Sequence, residues 1–97
     1  MPARWAGRSC AGDLLAQVDQ VVANTGIALA AIDAAPSQVV RTVIWVASSD
    51  RGDLSAAWAR LCESEIGDAF TTASTLVGVA CLGYAGQLVE LDVTAAI

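Results

Sequence analysis

A chain of 97 residues with no histidine lacks the side chain that most often moves protons near neutral pH and most often ligates transition metals. The remaining candidates for chemistry are few. Cys10, Cys62 and Cys81 read as small apolar side chains in a reducing compartment. Without histidine they complete neither a Cys/His nucleophile nor a zinc site of the usual ligands. If Cys62 and Cys81 share one helix, they stand roughly 28 Å apart at ~1.5 Å per residue, beyond disulfide reach. Glu63, Glu65 and Asp68 form a local acidic group, but carboxylates along one helix lack the converging ligands a cation needs. Arg51-Gly52-Asp53 spells an adhesion tripeptide, a match that three residues produce often by chance. No glycine-rich phosphate loop, nucleophile elbow or metal-ligand spacing is present in the sequence. The expectation is a non-enzyme with no cofactor and no metal.

Ten acidic residues against five arginines, with no lysine, give a net charge of −5. Such a surface repels phosphate backbones, and no basic stripe offsets it, so nucleic acid is not an expected partner. The hydrophobic share of 56% exceeds the usual level of about 45–50%, and much of the excess is alanine, which favours helix. One Phe, one Tyr and three Trp offer little to a sheet stabilised by aromatic pairs. The first residues carry two arginines but no apolar stretch behind them, so a general secretion signal is not expected.

The elements that must position these residues can be read from periodicity. Residues 1–12 read as a flexible leader and 13–97 as one domain. From Asp13, apolar residues recur at helical spacing through Leu14 or Leu15, Val18, Val21 or Val22, Ala28 or Leu29, and Ile32. Pro36 interrupts this helix and predicts a kink or restart. Val39 to Val46 is dense in β-branched residues and reads in isolation as a strand. With no second convincing strand to pair with, the expectation is helix. Residues 48–53 form the clearest turn, with Asp53 able to cap the next helix. Beyond it, Trp58, Cys62, Ile66, Phe70, Ala73, Leu76, Ala80, Tyr84, Leu88 and Leu91 recur in steps of three and four, predicting a second long helix.

The predicted fold is therefore all-α: an antiparallel helical hairpin of two long helices, the first kinked near Pro36. One hairpin leaves a continuous apolar band, which soluble monomers avoid. Two hairpins would resolve this as a four-helix bundle, so a protein partner through helix packing (a second copy or a paralogue) is expected. The interface residues expected on this layout are Trp45, Trp58, Ile66, Phe70, Leu76, Tyr84 and Leu88.

Trp45-Val46-Ala47 stands immediately before the central turn, and Tyr84 lies near an acid in the last segment. On these features the layout resembles the type VII secretion substrates of actinobacteria, the small WXG-type hairpins and their secretion-associated relatives. Ala47 stands where that family carries Gly. The acid that should follow Tyr84 by four residues is Leu88, the nearest acids being Glu90 and Asp92. The resemblance implies a dimeric, non-catalytic bundle, exported without a signal peptide or cytoplasmic before export, with Tyr84 and Glu90 as export signal. Two alternatives stand beside it. One is a single-pass membrane protein spanning about residues 69–89, a stretch without charge. The other is an adaptor subunit docking on a larger assembly.

Overall fold

The computed structural model describes residues 11–97. Helix α1 spans Ala11–Ala31. Its Leu14, Val18, Val22 and Leu29 are all buried, one apolar stripe at helical spacing. Pro36 does not kink this helix, because the helix has already closed. Asp33 adopts a left-handed φ of 58° and donates its N–H to the Ala30 carbonyl at 3.0 Å, while the Ala34 N–H reaches the Leu29 carbonyl at 2.9 Å. That closure places Ala34 back in the core with Leu29. A short 3-10 turn, Pro36–Gln38, then leads into the sheet, with the Gln38 side chain accepting the Ala35 N–H at 2.8 Å.

Among the described residues the sheet has three strands: β1 at Val39–Val46, β2 at Ala73–Gly78 and β3 at Val89–Ala95. Their order is β2-β1-β3. Strand β1 runs parallel to β2, pairing Ile44 with Leu76 and Trp45 with Val77. It runs antiparallel to β3, pairing Trp45 with Glu90 and Val46 with Val89. Parallel neighbours need a crossover connection, supplied here by helix α2, Arg51–Cys62, and a 3-10 turn at Gly67–Thr71. The α2 cap is Asp50, which accepts the Gly52 N–H at 2.9 Å, rather than Asp53.

Both helices contribute to a single core on one face of the sheet. Thr42, Ile44 and Val46 point into it and are fully buried, as are Val18, Ala57, Leu61 and Ala69. The Thr42 hydroxyl is satisfied by the Ser74 hydroxyl across the parallel pair, at 2.6 Å. By the two-residue alternation of a strand, Arg41, Val43 and Trp45 point to the opposite face, which no described element covers. Across it they meet Ala73, Thr75 and Val77 on β2 and Thr94, Asp92 and Glu90 on β3.

This α/β architecture corrects the all-α expectation, the four-helix bundle and the second long helix. Val39 to Val46 is the central strand, as its β-branched density indicates locally. The second predicted arm is helical only to Cys62, and 69–89 comprises part of a 3-10 turn, strand β2, a loop and the first residue of β3. The alternative of a membrane-spanning helix over 69–89 is therefore overturned. The described helix long and apolar enough to cross a membrane is α1, and it gives its stripe to the core. Since the 14–29 stripe is buried within one copy, it does not demand a helical partner. The expected 1–12 leader falls almost wholly outside the described residues; its last two residues already belong to α1.

Candidate functional site

Parallel strands joined through a helix leave a crevice beyond their carboxyl ends, and open α/β sheets bind ligands there. In this chain the crevice forms where β1 runs into Ser48 and Ser49, β2 runs into Gly78, Val79 and Ala80, and α2 begins at Arg51. These residues with Leu54 line a cleft of about 790 Å³. A second hollow of about 310 Å³, lined by Arg51, Leu54, Ser55, Trp58 and Leu76, lies alongside and shares two of its walls.

Local hydrogen bonds fix the rim. The Val79 N–H donates to the Val46 carbonyl at 2.8 Å, tying the ends of the two parallel strands together. The Ser48 hydroxyl donates to the Asp53 carboxylate at 2.8 Å and accepts the Asp50 N–H at 3.0 Å. Gly78 is required at this point: a β-carbon on it would fall on the Ser48 carbonyl oxygen, with the Leu54 methyl groups 3.6 Å away. Asp50 and Asp53 are thus occupied in shaping the turn. Arg51 is left exposed between them, and among the described residues its guanidinium has no hydrogen-bond or ion-pair partner. A planar, permanently charged fork beside an apolar wall suits a carboxylate.

Elsewhere the polar groups serve the fold. Gln17 on α1 donates to the Gly86 carbonyl and accepts the Leu88 N–H, both at 2.8 Å, holding the loop before β3. Gly86 itself takes a φ of 82°, a left-handed geometry that favours glycine. Arg60 on α2 grips Asp19 on α1 through two bonds of 2.8 Å. The bonds to the Arg60 guanidinium hold the Asp19 carboxyl below its usual value and raise Arg60 in return. Cys62 and Cys81 are exposed free thiols rather than core side chains. Partial desolvation, with Glu63 adding repulsion, pushes the Cys62 thiol up and away from the reactive thiolate. Cys10 lies outside the described residues. Among the described residues no acidic or cysteine cluster could hold a metal ion.

The expected interface residues are dispersed rather than gathered. Ile66, Phe70 and Leu88 are buried in the chain's own core. Trp58 packs edge-on against Phe70 with ring centroids 5.9 Å apart and turns its remaining surface to the smaller hollow, where Leu76 joins it. Trp45 lies on the open face of the sheet opposite Glu90. Tyr84 stands 81% exposed in the loop before β3 and is not on a helix with Glu90. The structure thus joins Trp58 to Leu76 and separates the others. Arg51, Ser48 and Gly78 were not expected as site residues. Arg51 and Ser48 fall in or beside the predicted turn, but only the strand pairing brings Gly78 to them.

Residues 2–97 match the family described as Endoribonuclease L-PSP. Among solved structures, the chain is similar to YyfB of Yersinia pestis, described as a protein of unknown function of the conserved Rid family. The two are 31% identical with a TM-score of 0.72, the match covering 86% of this chain. The chain spans 62% of the length of that protein. No curated protein matches. These matches overturn the type VII secretion resemblance: the Trp45-Val46-Ala47 segment closes a central strand instead of a helix. The expectation of export, with Tyr84 and Glu90 as its signal, rested on that resemblance alone.

Proposed function

The chain belongs to the Endoribonuclease L-PSP (Rid) family, and from that premise we propose that it binds a small organic monoanion in the Arg51 cleft and does not cleave RNA. The observation that carries this reading is the unpartnered Arg51 guanidinium at the mouth of a cleft of about 790 Å³, at the carboxyl ends of two parallel strands. A monoanion is favoured over a phosphate dianion because the Asp50 and Asp53 carboxylates stand on either side of Arg51 in sequence, at the same turn. Cleavage of RNA is disfavoured by the net charge of −5, the absence of lysine and the absence of histidine.

Titration with acetate, followed by backbone amide shifts, tests the proposal. Shifts are expected at residues 48–54 and 78–80, and Arg51→Gln is expected to abolish them. Equal shifts in that variant, or cleavage of a labelled oligoribonucleotide by the unaltered chain, would overturn it.

A second reading concerns association. The sheet face bearing Val43, Trp45 and Val77 is uncovered by any described element, and domains ordinarily bury such a face against another layer. Rid proteins are often homotrimers, which supports self-association here through the sheet rather than through helix packing. Sedimentation of Trp45→Glu against the unaltered chain tests this. An assembly that the substitution dissolves supports the reading, and an unaltered chain that stays monomeric at high concentration removes it.

A further inference from the structure

Among the described residues, strand β3 is paired along one side only. The Ala47 N–H donates to the Leu88 carbonyl at 2.9 Å, and the same register runs on from Val46 opposite Val89 to Arg41 opposite Thr94. Bonded pairs alternate along an antiparallel ladder, so Glu90, Asp92 and Thr94 turn their backbone groups toward β1. Those of Val89, Leu91 and Val93 turn outward. The Gln87 side-chain amide donates to the Val89 carbonyl at 3.3 Å. Among the described residues the outward groups of Leu91 and Val93 meet no partner. The side chains of this edge are sorted by face. Leu91 and Val93 are half-buried against the core on the side where α1 packs, which leaves part of each for a neighbour to cover. Glu90 and Asp92 are exposed on the opposite face, and among the described residues neither carboxylate has a hydrogen-bond or ion-pair partner.

We propose that the outer edge of β3 accepts an extended segment of a different protein, one that alternates apolar and basic residues. Its backbone bonds the outward groups of Leu91 and Val93, adding a strand to the sheet. Its apolar side chains cover Leu91 and Val93 on the α1 side, and its basic side chains stand beside Glu90 and Asp92 on the other. The acids decide which chains fit. A second copy of this chain is a poor occupant, because two β3 edges meeting antiparallel about Asp92 set like charges side by side. Strand β1, the described strand that carries a basic residue, already has a neighbour on each side. The inference does not depend on the Arg51 cleft.

The probe is an end-blocked peptide of alternating valine and lysine, matched to β3 in length and titrated into the full chain. Backbone amide shifts and hydrogen exchange are followed. Exchange of the Leu91 and Val93 amides is expected to slow roughly tenfold at saturation. Affinity is expected to fall about tenfold in the double variant Glu90→Gln, Asp92→Asn, whose positions are exposed. Two control peptides need no variant: one with glutamate in place of lysine, and one with the same residues in two blocks. Both are expected to bind far more weakly, the first through charge and the second through lost alternation. Unchanged exchange at Leu91 and Val93 on adding the valine–lysine peptide would overturn the proposal. So would equal binding by either control, or full affinity in the double variant.

Discussion

The two faces of the sheet carry residues from the same strand under opposite conditions. On the helix-covered face, Thr42, Ile44 and Val46 have no contact with water, and every buried side-chain polar atom among the described residues is satisfied. On the other face Val43 is buried as well, but Arg41 and Val77 are exposed and Trp45 is half-buried, with two acids, Glu90 and Asp92, along the antiparallel edge. At the end of β1 one residue of displacement separates Val46, shut off from water, from Trp45, which keeps part of its surface open. Stability is concentrated on one side of a single sheet.

Substitutions on the two sides sharpen that contrast. The largest effect is expected at Ile44→Ala, which opens a cavity between the central strand and both helices. A loss of about 2–5 kcal/mol is expected in chemical denaturation, a large share of the ~5–15 kcal/mol available to a domain of this size. A smaller loss would mean that the helices collapse onto the vacancy. Thr42→Val comes next: it strands the Ser74 hydroxyl and should cost about 1–2 kcal/mol, part of which Ser74→Ala restores in the double variant. Val77→Ala, on a side chain 37% exposed, should cost the monomer less than about 1 kcal/mol. A larger loss there would break the comparison by showing that the open face also holds the fold.

The smallest effect concerns the helix layer itself. Asp19 has its carboxyl lowered in the folded chain by the bonds from Arg60. Its contribution is present above the ordinary aspartate range and is lost as pH falls through the lowered folded value. Melting curves of the unaltered chain and Asp19→Asn should therefore converge at low pH and differ slightly at neutral pH. No convergence would show that the pair does not contribute through ionisation.

Helix α1 was legible in the sequence because Leu14, Val18, Val22 and Leu29 are large and sit at an unambiguous spacing. Strand β1 was equally legible locally, and it was misassigned only because its partners went unseen. One of them, Val89-Glu-Leu-Asp-Val-Thr-Ala95, alternates apolar and polar residues cleanly and carries its own strand signal. The other, Ala73-Ser-Thr-Leu-Val-Gly78, is weaker, since alanine and glycine between residues 69 and 86 satisfy a helical step of three or four as readily as any other. Small side chains fit many periods and specify none. The site was less legible still. Arg51 lay inside a tripeptide that looked accidental, and its neighbours Gly78 to Ala80 come from a strand that joins the site only when the parallel register forms.

The strand order β2-β1-β3 also has a consequence for how the chain is made. Of the three described strands the middle one leaves the ribosome first, and its two flanks emerge about thirty and fifty residues later, at ~5–20 residues per second. Until residue 95 is out, β1 has one side unpaired, and Gln17, near the start of α1, has nothing to grip at Gly86 and Leu88. The nascent protein must therefore hold its most β-prone segment, Val39 to Val46, incomplete until β3 is synthesised. Slower elongation over residues 47–95 lengthens the interval in which that open edge can pair with another chain.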